Sequence, residues 1–431
     1  MTTTGSTSGV TVPQSAVVVG AGIVGLSTAW HLLRLGVDVV VIDRDDIAAG
    51  SSWGNAGFLT PDIATPLPEP AVLRYGLKAL VSPRSPLYVP IGFDPQLWNF
   101  LLRFATHCTS RAWRANGKRL ATLNRQSLEA FAEIDAAIQQ AGDASPETPV
   151  AESGPFTACF NSEASRKNFI AELDGMIDAG QEVDYHLIDG EVARDTLPVL
   201  SHRATHAVEI RNTKHIDPPR YMEHLARDVQ RLGGVIRTGT LVQELFDEGN
   251  QVVVRTGASD ITADIAVIAT GAHLGQLAKK WGVKTIVRAG RGYSFSVQLD
   301  EPAAGPMYFP DDKLACTPLG DRLRIAGMME FRRGDEPFDP RRIKAVARAA
   351  APWFNDLALD DPQVRADEWV GSRPCTPDGL PLIGRTSSPR IAVAGGHGMW
   401  GVVQGPITGK LLAQHLTGPP VPELTSFDPL R

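Results

Sequence analysis

The stretch that decides the fold runs from Ala16 to Asp43: A-V-V-V-G-A-G-I-V-G-L-S-T-A-W-H-L-L-R-L-G-V-D-V-V-V-I-D. Ala16 to Val19 is a short all-apolar run, as expected of a strand buried on both faces. Gly20 to Gly25 follows as G-A-G-I-V-G, then a helical segment that stops at Gly36, then a second strand ending on Asp43. Strand, glycine-rich turn, helix and strand, with an acid about twenty residues on, form the dinucleotide-binding pattern. Gly20 permits a tight turn, Gly22 lets a pyrophosphate approach the backbone, and Gly25 lets helix and strand pack closely. The helix start, with Ile23 and Val24, offers unpaired N–H groups and a positive dipole end to phosphates. Asp43 can accept hydrogen bonds from an adenosine ribose, with Arg44 beside it. A glycine-rich turn without a ligand is the plain alternative, but it leaves the second strand and its acid unexplained.

The fingerprint does not separate NAD from FAD. Three further segments do. Ala48 to Pro61, A-A-G-S-S-W-G-N-A-G-F-L-T-P, is rich in small residues and hydroxyls and directly follows the Asp43 strand. Ser51, Ser52, Asn55, Ala56 and Gly57 can lie along an extended cofactor. A second apolar strand, within Ala263 to His273, runs into Thr270-Gly271. Upstream, Tyr221 to Leu232 reads as an amphipathic helix, and Val242 sits on a strand edge near an adenine ring. Near the C-terminus, a strand from Ile391 to Ala394 meets G-G-H-G-M-W-G and then a helix, a second helix start beside a ligand.

These motifs, together with G-S-R-P-C-T-P-D-G-L-P-L-I-G from Gly371 to Gly384, make the chain resemble the D-amino-acid dehydrogenase and glycine oxidase family from about Ala16 to about Leu416. The resemblance implies non-covalently bound FAD. It also implies an α/β (α+β) two-domain fold: a Rossmann-like FAD-binding domain of the glutathione-reductase type plus an antiparallel-sheet substrate domain. It places Gly396, His397, Gly398 and Gly401 near the flavin ring. The expected FAD-binding domain is discontinuous, over 14–62, 213–275 and 373–418. The substrate domain takes 63–212 and 276–372, and 1–13 is a flexible tail. Within the substrate domain, the segments around Tyr293 and from Asp321 to Phe331 read as antiparallel strands. Leu120 to Gln140 reads as a long helix.

The resemblance implies hydride transfer to flavin N5 from the carbon that bears an amine, giving an imine that hydrolyses to a carbonyl. A substrate carboxylate calls for a forked cation, and the matching residue is Arg373; its alternative role is to pair Asp378 and hold the loop. Tyr293 and Tyr308 are candidate pocket walls, with a half-buried sheet tyrosine as the equal alternative for Tyr293. Arg291 and Arg288 are further cation candidates. Leu314 stands where some amino-acid oxidases carry a substrate tyrosine. His397 reads as flavin-proximal but not as a base, and Cys316 as a buried free thiol rather than a covalent flavin attachment.

A D-amino acid is the expected substrate, with a cyclic secondary amine such as proline or hydroxyproline as the alternative. A non-catalytic electron-transfer subunit is the competing class; a flavin hydroxylase is disfavoured by the Arg373 block. The electron acceptor is oxygen or a quinone. Forty-two Lys and Arg against 48 Asp and Glu, with no basic block, give no nucleic-acid footprint. Cys108, Cys159, Cys316 and Cys375 are widely spaced, so neither a zinc site nor a disulfide framework is expected, and the compartment reads as reducing and cytoplasmic. No transmembrane run is expected, but peripheral contact with the inner membrane face stays open. The aromatic stretch from Pro61 to Phe104, with Tyr75, Tyr88, Phe93, Trp98 and Phe100, reads as a lid, a membrane or quinone contact, or core packing.

Overall fold

Ser15–Val19 lies between two parallel neighbours, Asp38–Ile42 and Ile265–Ile268. That position explains its unbroken apolar run: Val17 and Val18 have no exposed surface. The sheet grows outward to Val235–Arg237 on one side. On the other it grows to Ile391–Gly395 and then to an antiparallel edge strand, Leu382–Arg385. The structure is a computed structural model that describes residues 12–72, 87–89, 94–141, 150–152 and 154–431. Most of the expected tail, together with Tyr75 and Phe93, lies outside the described residues.

One face of this sheet is covered by the helices Ile23–Arg34, Pro218–Arg231 and Gly401–Thr417. The first and last of these approach so closely that a Cβ on Gly409 would sit 2.5 Å from the carbonyl carbon of Ser27. The other face carries a small antiparallel meander, Val242–Asp247, Val252–Thr256 and Asp260–Ala263. Ser110–Gln140 is longer than the helix expected from Leu120 to Gln140. Its Phe131 and Ile134 join the same core as Leu26 and Tyr221, although the segment falls in the span assigned to the substrate domain.

The second large element is a nine-stranded sheet. Its centre is antiparallel: Arg365–Cys375 pairs with Arg288–Gln298, which pairs with Arg322–Phe331, then Leu314–Leu319 and Met307–Phe309. Phe156–Phe160, His206–Ile210 and Tyr185–Asp189 extend it. The helix Pro340–Ala350 backs it, with Ile343 and Val346 packed among Phe295 and Ile325. Of the aromatic stretch, Phe100 and Phe104 pack on Phe331 in a buried cluster, so those two serve the core. Trp98 is partly exposed.

Arg365–Cys375 is the hinge between the two sheets. Beyond Cys375 the chain turns into the edge strand Leu382–Arg385, and Cys375 itself pairs with His397 in the glycine-rich turn. The large sheet therefore delivers its last strand to the carboxyl ends of the parallel strands, where ligands bind in open α/β sheets.

The Gly409 contact yields a test. Gly409→Ala must push two buried helices apart, at a cost of about 1–3 kcal/mol. Its apparent melting temperature should fall by several degrees; an unchanged melt would contradict so close an approach.

Candidate active site

A cavity of about 580 Å³ opens at the carboxyl ends of the parallel strands, lined by Val19, Ile42, Ala269 and Ala394 from four of them. The glycine-rich turn forms one wall. Gly20 has φ +117°, and a Cβ there would meet the Ala269 carbonyl oxygen at 2.4 Å. A Cβ on Gly25 would come within 1.9 Å of the Gly20 oxygen, so only glycine lets the helix seat beneath the turn. Gly22, Ile23 and Val24 face the cavity. The helix starts on Gly22, which has no side chain to cap it, and has no acid in its first turn, so its dipole end favours an anion.

Two contacts fix this turn. Asp43 accepts hydrogen bonds from the Ala21 N–H at 2.7 Å and the Asp45 N–H at 2.9 Å. The Ser52 hydroxyl accepts from the Ile23 N–H at 3.1 Å. Asp43, Arg44, Ser51, Ser52 and Asn55 line the cavity, as do Val242, Thr270 and Gly271. Arg44 pairs with its neighbour Asp45 at 2.8 Å. His397, Gly398 and Gly401 close the far wall. Gly25, Gly57 and Gly396 stand behind the surface. At Gly57, with φ +76°, a Cβ would strike the Ile216 oxygen at 2.2 Å; at Gly396, with φ +79°, it would press on Thr376.

The cavity also holds buried polar atoms that lack a partner among the described residues: the Thr270 hydroxyl and His397 Nδ1. Such atoms carry a desolvation cost unless something meets them. Bare backbone, an open helix start and two waiting polar atoms fit a dinucleotide cofactor. His397 Nε2 is engaged with the Thr408 hydroxyl at 2.9 Å, and burial holds its imidazole down at about 3. It is therefore neutral at working pH and is neither a base nor a cation.

A second cavity, of about 370 Å³, adjoins the first; Asn55, Arg373, Met399 and Val402 line both. Ala56 and Tyr308 face this second space, and Phe58, Phe156, Phe169 and Trp400 give its wall an aromatic part. Arg373 stands at the junction. One guanidinium nitrogen donates to the Met328 carbonyl at 2.7 Å. Among the described residues it has no carboxylate partner, and burial lowers its affinity for its proton. Asp378, its alternative partner, instead pairs with Arg431 at 3.0 Å.

Two features that sequence reading missed hold Arg373 in place. A Cβ on Gly292 would lie 2.2 Å from the guanidinium carbon, so the missing side chain there is the bed for the arginine head. Across the sheet the register shifts between Arg291 and Tyr293, and Met328 takes φ +69°, an irregularity that aims its carbonyl at Arg373. A glycine inside a strand signals close approach, which was the available clue.

Other candidates lie elsewhere. Tyr293 lines neither cavity: it is buried in the sheet and its hydroxyl donates to Glu330 at 2.9 Å. Arg288 is ion-paired with Asp94, and Arg291 donates to the Pro337 carbonyl, so neither is a second substrate cation. Leu314 is core, packed near Gly327. Cys316 is a buried free thiol in that core and lines neither cavity.

The sequence pattern of the family described as FAD dependent oxidoreductase matches residues 15–415. A D-amino acid dehydrogenase of Rhizorhabdus wittichii is 30% identical over 413 residues, covering 94% of this chain and 96% of the relative. One from Phenylobacterium zucineum is 31% identical over 439 residues, covering 97% and 99%. In fold the chain is similar to glycine oxidase from Bacillus cereus, with TM-score 0.72 at 18% identity over 96% of this chain and 98% of that one. L-proline dehydrogenase from P. horikoshii gives TM-score 0.68 at 19% identity, covering 98% of each.

Two outcomes follow. Gly22→Val puts a branched side chain where phosphates approach, so the variant should purify folded but colourless; a normal yellow spectrum contradicts the turn's role. His397 binds its proton less readily folded, at about 3, than unfolded, at 6.5. Its contribution to stability is full above pH 6.5 and is lost as pH falls toward 3. His397→Gln should therefore show a smaller drop in melting temperature between pH 7 and pH 5 than the parent; an equal drop contradicts a buried neutral imidazole.

Proposed function

The chain belongs to the FAD dependent oxidoreductase family, and within it we propose that it oxidises the C–N bond of a small D-amino acid. FAD, when bound, supplies the redox chemistry by accepting at N5 the hydride from the carbon that bears the amine. The Gly20–Gly25 turn, the Ile23 helix start and Ser52 would hold its pyrophosphate, and Asp43 its ribose. Thr270 and the Gly396–Gly401 turn would meet the part nearest Arg373.

The observation that carries this reading is Arg373, a half-buried guanidinium at the junction of two cavities with no carboxylate partner among the described residues. A cation so placed is costly unless an anion arrives. A substrate carboxylate fits its fork in a bidentate manner. With that end fixed, the α-carbon lies at the boundary with the first cavity and the side chain extends among the aromatic residues of the second. The neutral His397 takes no proton, so the substrate amine loses its own to solvent before oxidation. Water then converts the imino acid to a keto acid and ammonia. The D-amino acid dehydrogenase names of the relatives support this substrate class.

The test is anaerobic mixing of the yellow holoenzyme with D-amino acids, L-amino acids and cyclic secondary amines. Bleaching by D-amino acids is expected; no bleaching by any of them rejects the reading. Arg373→Ala should raise KM about 100-fold, the worth of two charge-assisted hydrogen bonds, while FAD stays bound. Gly292→Ala, whose nearest contact is the arginine head, should move KM in the same direction. Unchanged kinetics in both variants would remove Arg373 from carboxylate binding.

A further inference from the structure

The second cavity carries more charge than its aromatic wall suggests. Glu69 and Glu172 both line it, from segments more than a hundred residues apart in sequence. Neither side chain has a hydrogen bond or ion pair among the described residues. Asp311 and Lys313, both exposed, are the other charged residues of the lining besides Arg373. Three carboxylates thus face one lysine in a space whose apolar wall includes Phe58, Phe156, Phe169 and Tyr308. The other cation of the lining, Arg373, stands at the junction and is assigned to the substrate carboxylate.

We propose that Glu69 and Glu172 form a subsite for a cationic group at the far end of the substrate side chain, so that the preferred substrates are basic amino acids. The proposal rests on the amino-acid oxidation reading and names the substrate class within it. An amino acid with a distal ammonium or guanidinium presents opposite charges at its two ends. The cavity offers a cation at the flavin side and carboxylates beyond it, and the aromatic wall suits the methylene stem between them. A neutral side chain would leave the two half-buried carboxylates with only the exposed Lys313 as counter-charge, which disfavours it.

The state of these groups agrees. Burial and the nearby Glu69 push the Glu172 carboxyl up to about 7, although Lys313 pulls the other way. Burial also raises Glu69, again against Lys313. The lysine at the rim therefore does not fully compensate the pair. A substrate cation would supply the missing charge and hold both carboxyls ionised.

The experiment uses the holoenzyme under anaerobic conditions and compares D-lysine with D-norleucine, which has the same chain length and an uncharged end. Flavin reduction should show kcat/KM about tenfold higher for D-lysine, the effect of one favourable charge pair of about 1.4 kcal/mol. In Glu69→Gln and Glu172→Gln the ratio should shrink, and in the double variant it should approach one, with flavin content verifying the fold. In the parent enzyme, ω-aminohexanoate should compete with substrate more tightly than hexanoate, a measurement that needs no variant. Equal or better use of D-norleucine, or tighter competition by hexanoate, overturns the subsite and leaves amino-acid oxidation standing. A preference that survives the double variant removes these two carboxylates from the role. Failure of D-lysine, D-norleucine and D-alanine alike to bleach the flavin rejects the oxidation reading, and the subsite falls with it.

Discussion

A half-buried guanidinium with no carboxylate partner among the described residues is the constraint to which the rest of the molecule answers. Arg373 is stabilised by a backbone carbonyl at 2.7 Å and lies on the bare backbone of Gly292. One neutral hydrogen bond does not offset the desolvation of a full charge. The fold keeps the cation there because the strand that carries it is paired along one edge and pinned at its end. Gly290 and Gly292 pair along it, and Cys375 pairs with His397 at its end. Rigid elements hold the site to a geometry that loops alone would not.

This arrangement explains why two sheets are needed. The parallel sheet gathers a glycine-rich turn, a helix start and the strand ends of Ile42 and Ala269 around one cavity. The antiparallel sheet has no such helix start, but its strands carry Arg373 and Tyr308 to the second cavity. Where the two meet, Asn55, Met399 and Val402 belong to both cavities, so a cofactor in one and a substrate in the other would touch without a channel between them. The strained Met328, at φ +69°, sits at this junction, as expected where the backbone is shaped for a ligand rather than for stability.

Much of the parallel half was legible in the sequence because its signals are local. Gly20 and Gly25 each answer a steric demand that no other residue meets, and the apolar runs at Ala16–Val19 and Ile391–Ala394 announce buried strands. Arg373 was legible through the block around it. The antiparallel half was less so, because its functional surface depends on which face of a strand points where. Tyr293 has suitable chemistry but faces into the sheet toward Glu330, whereas Tyr308, on a neighbouring hairpin, reaches the cavity. A bulge between Arg291 and Tyr293 alters the alternation there, and nothing in R-A-G-R-G-Y-S reveals it. Glu69 and Glu172 escaped for a similar reason: their proximity is created by the fold, not by spacing in the chain.

The most direct test of the account is a crystal structure of the holoenzyme grown with benzoate, a carboxylate that cannot be oxidised. The account predicts FAD along the Gly20–Gly25 turn and the benzoate carboxylate on the Arg373 fork, with N–O distances of about 2.7–2.9 Å. A carboxylate bound away from Arg373, or an Arg373 side chain turned out of the junction to pair with a protein acid, would contradict it.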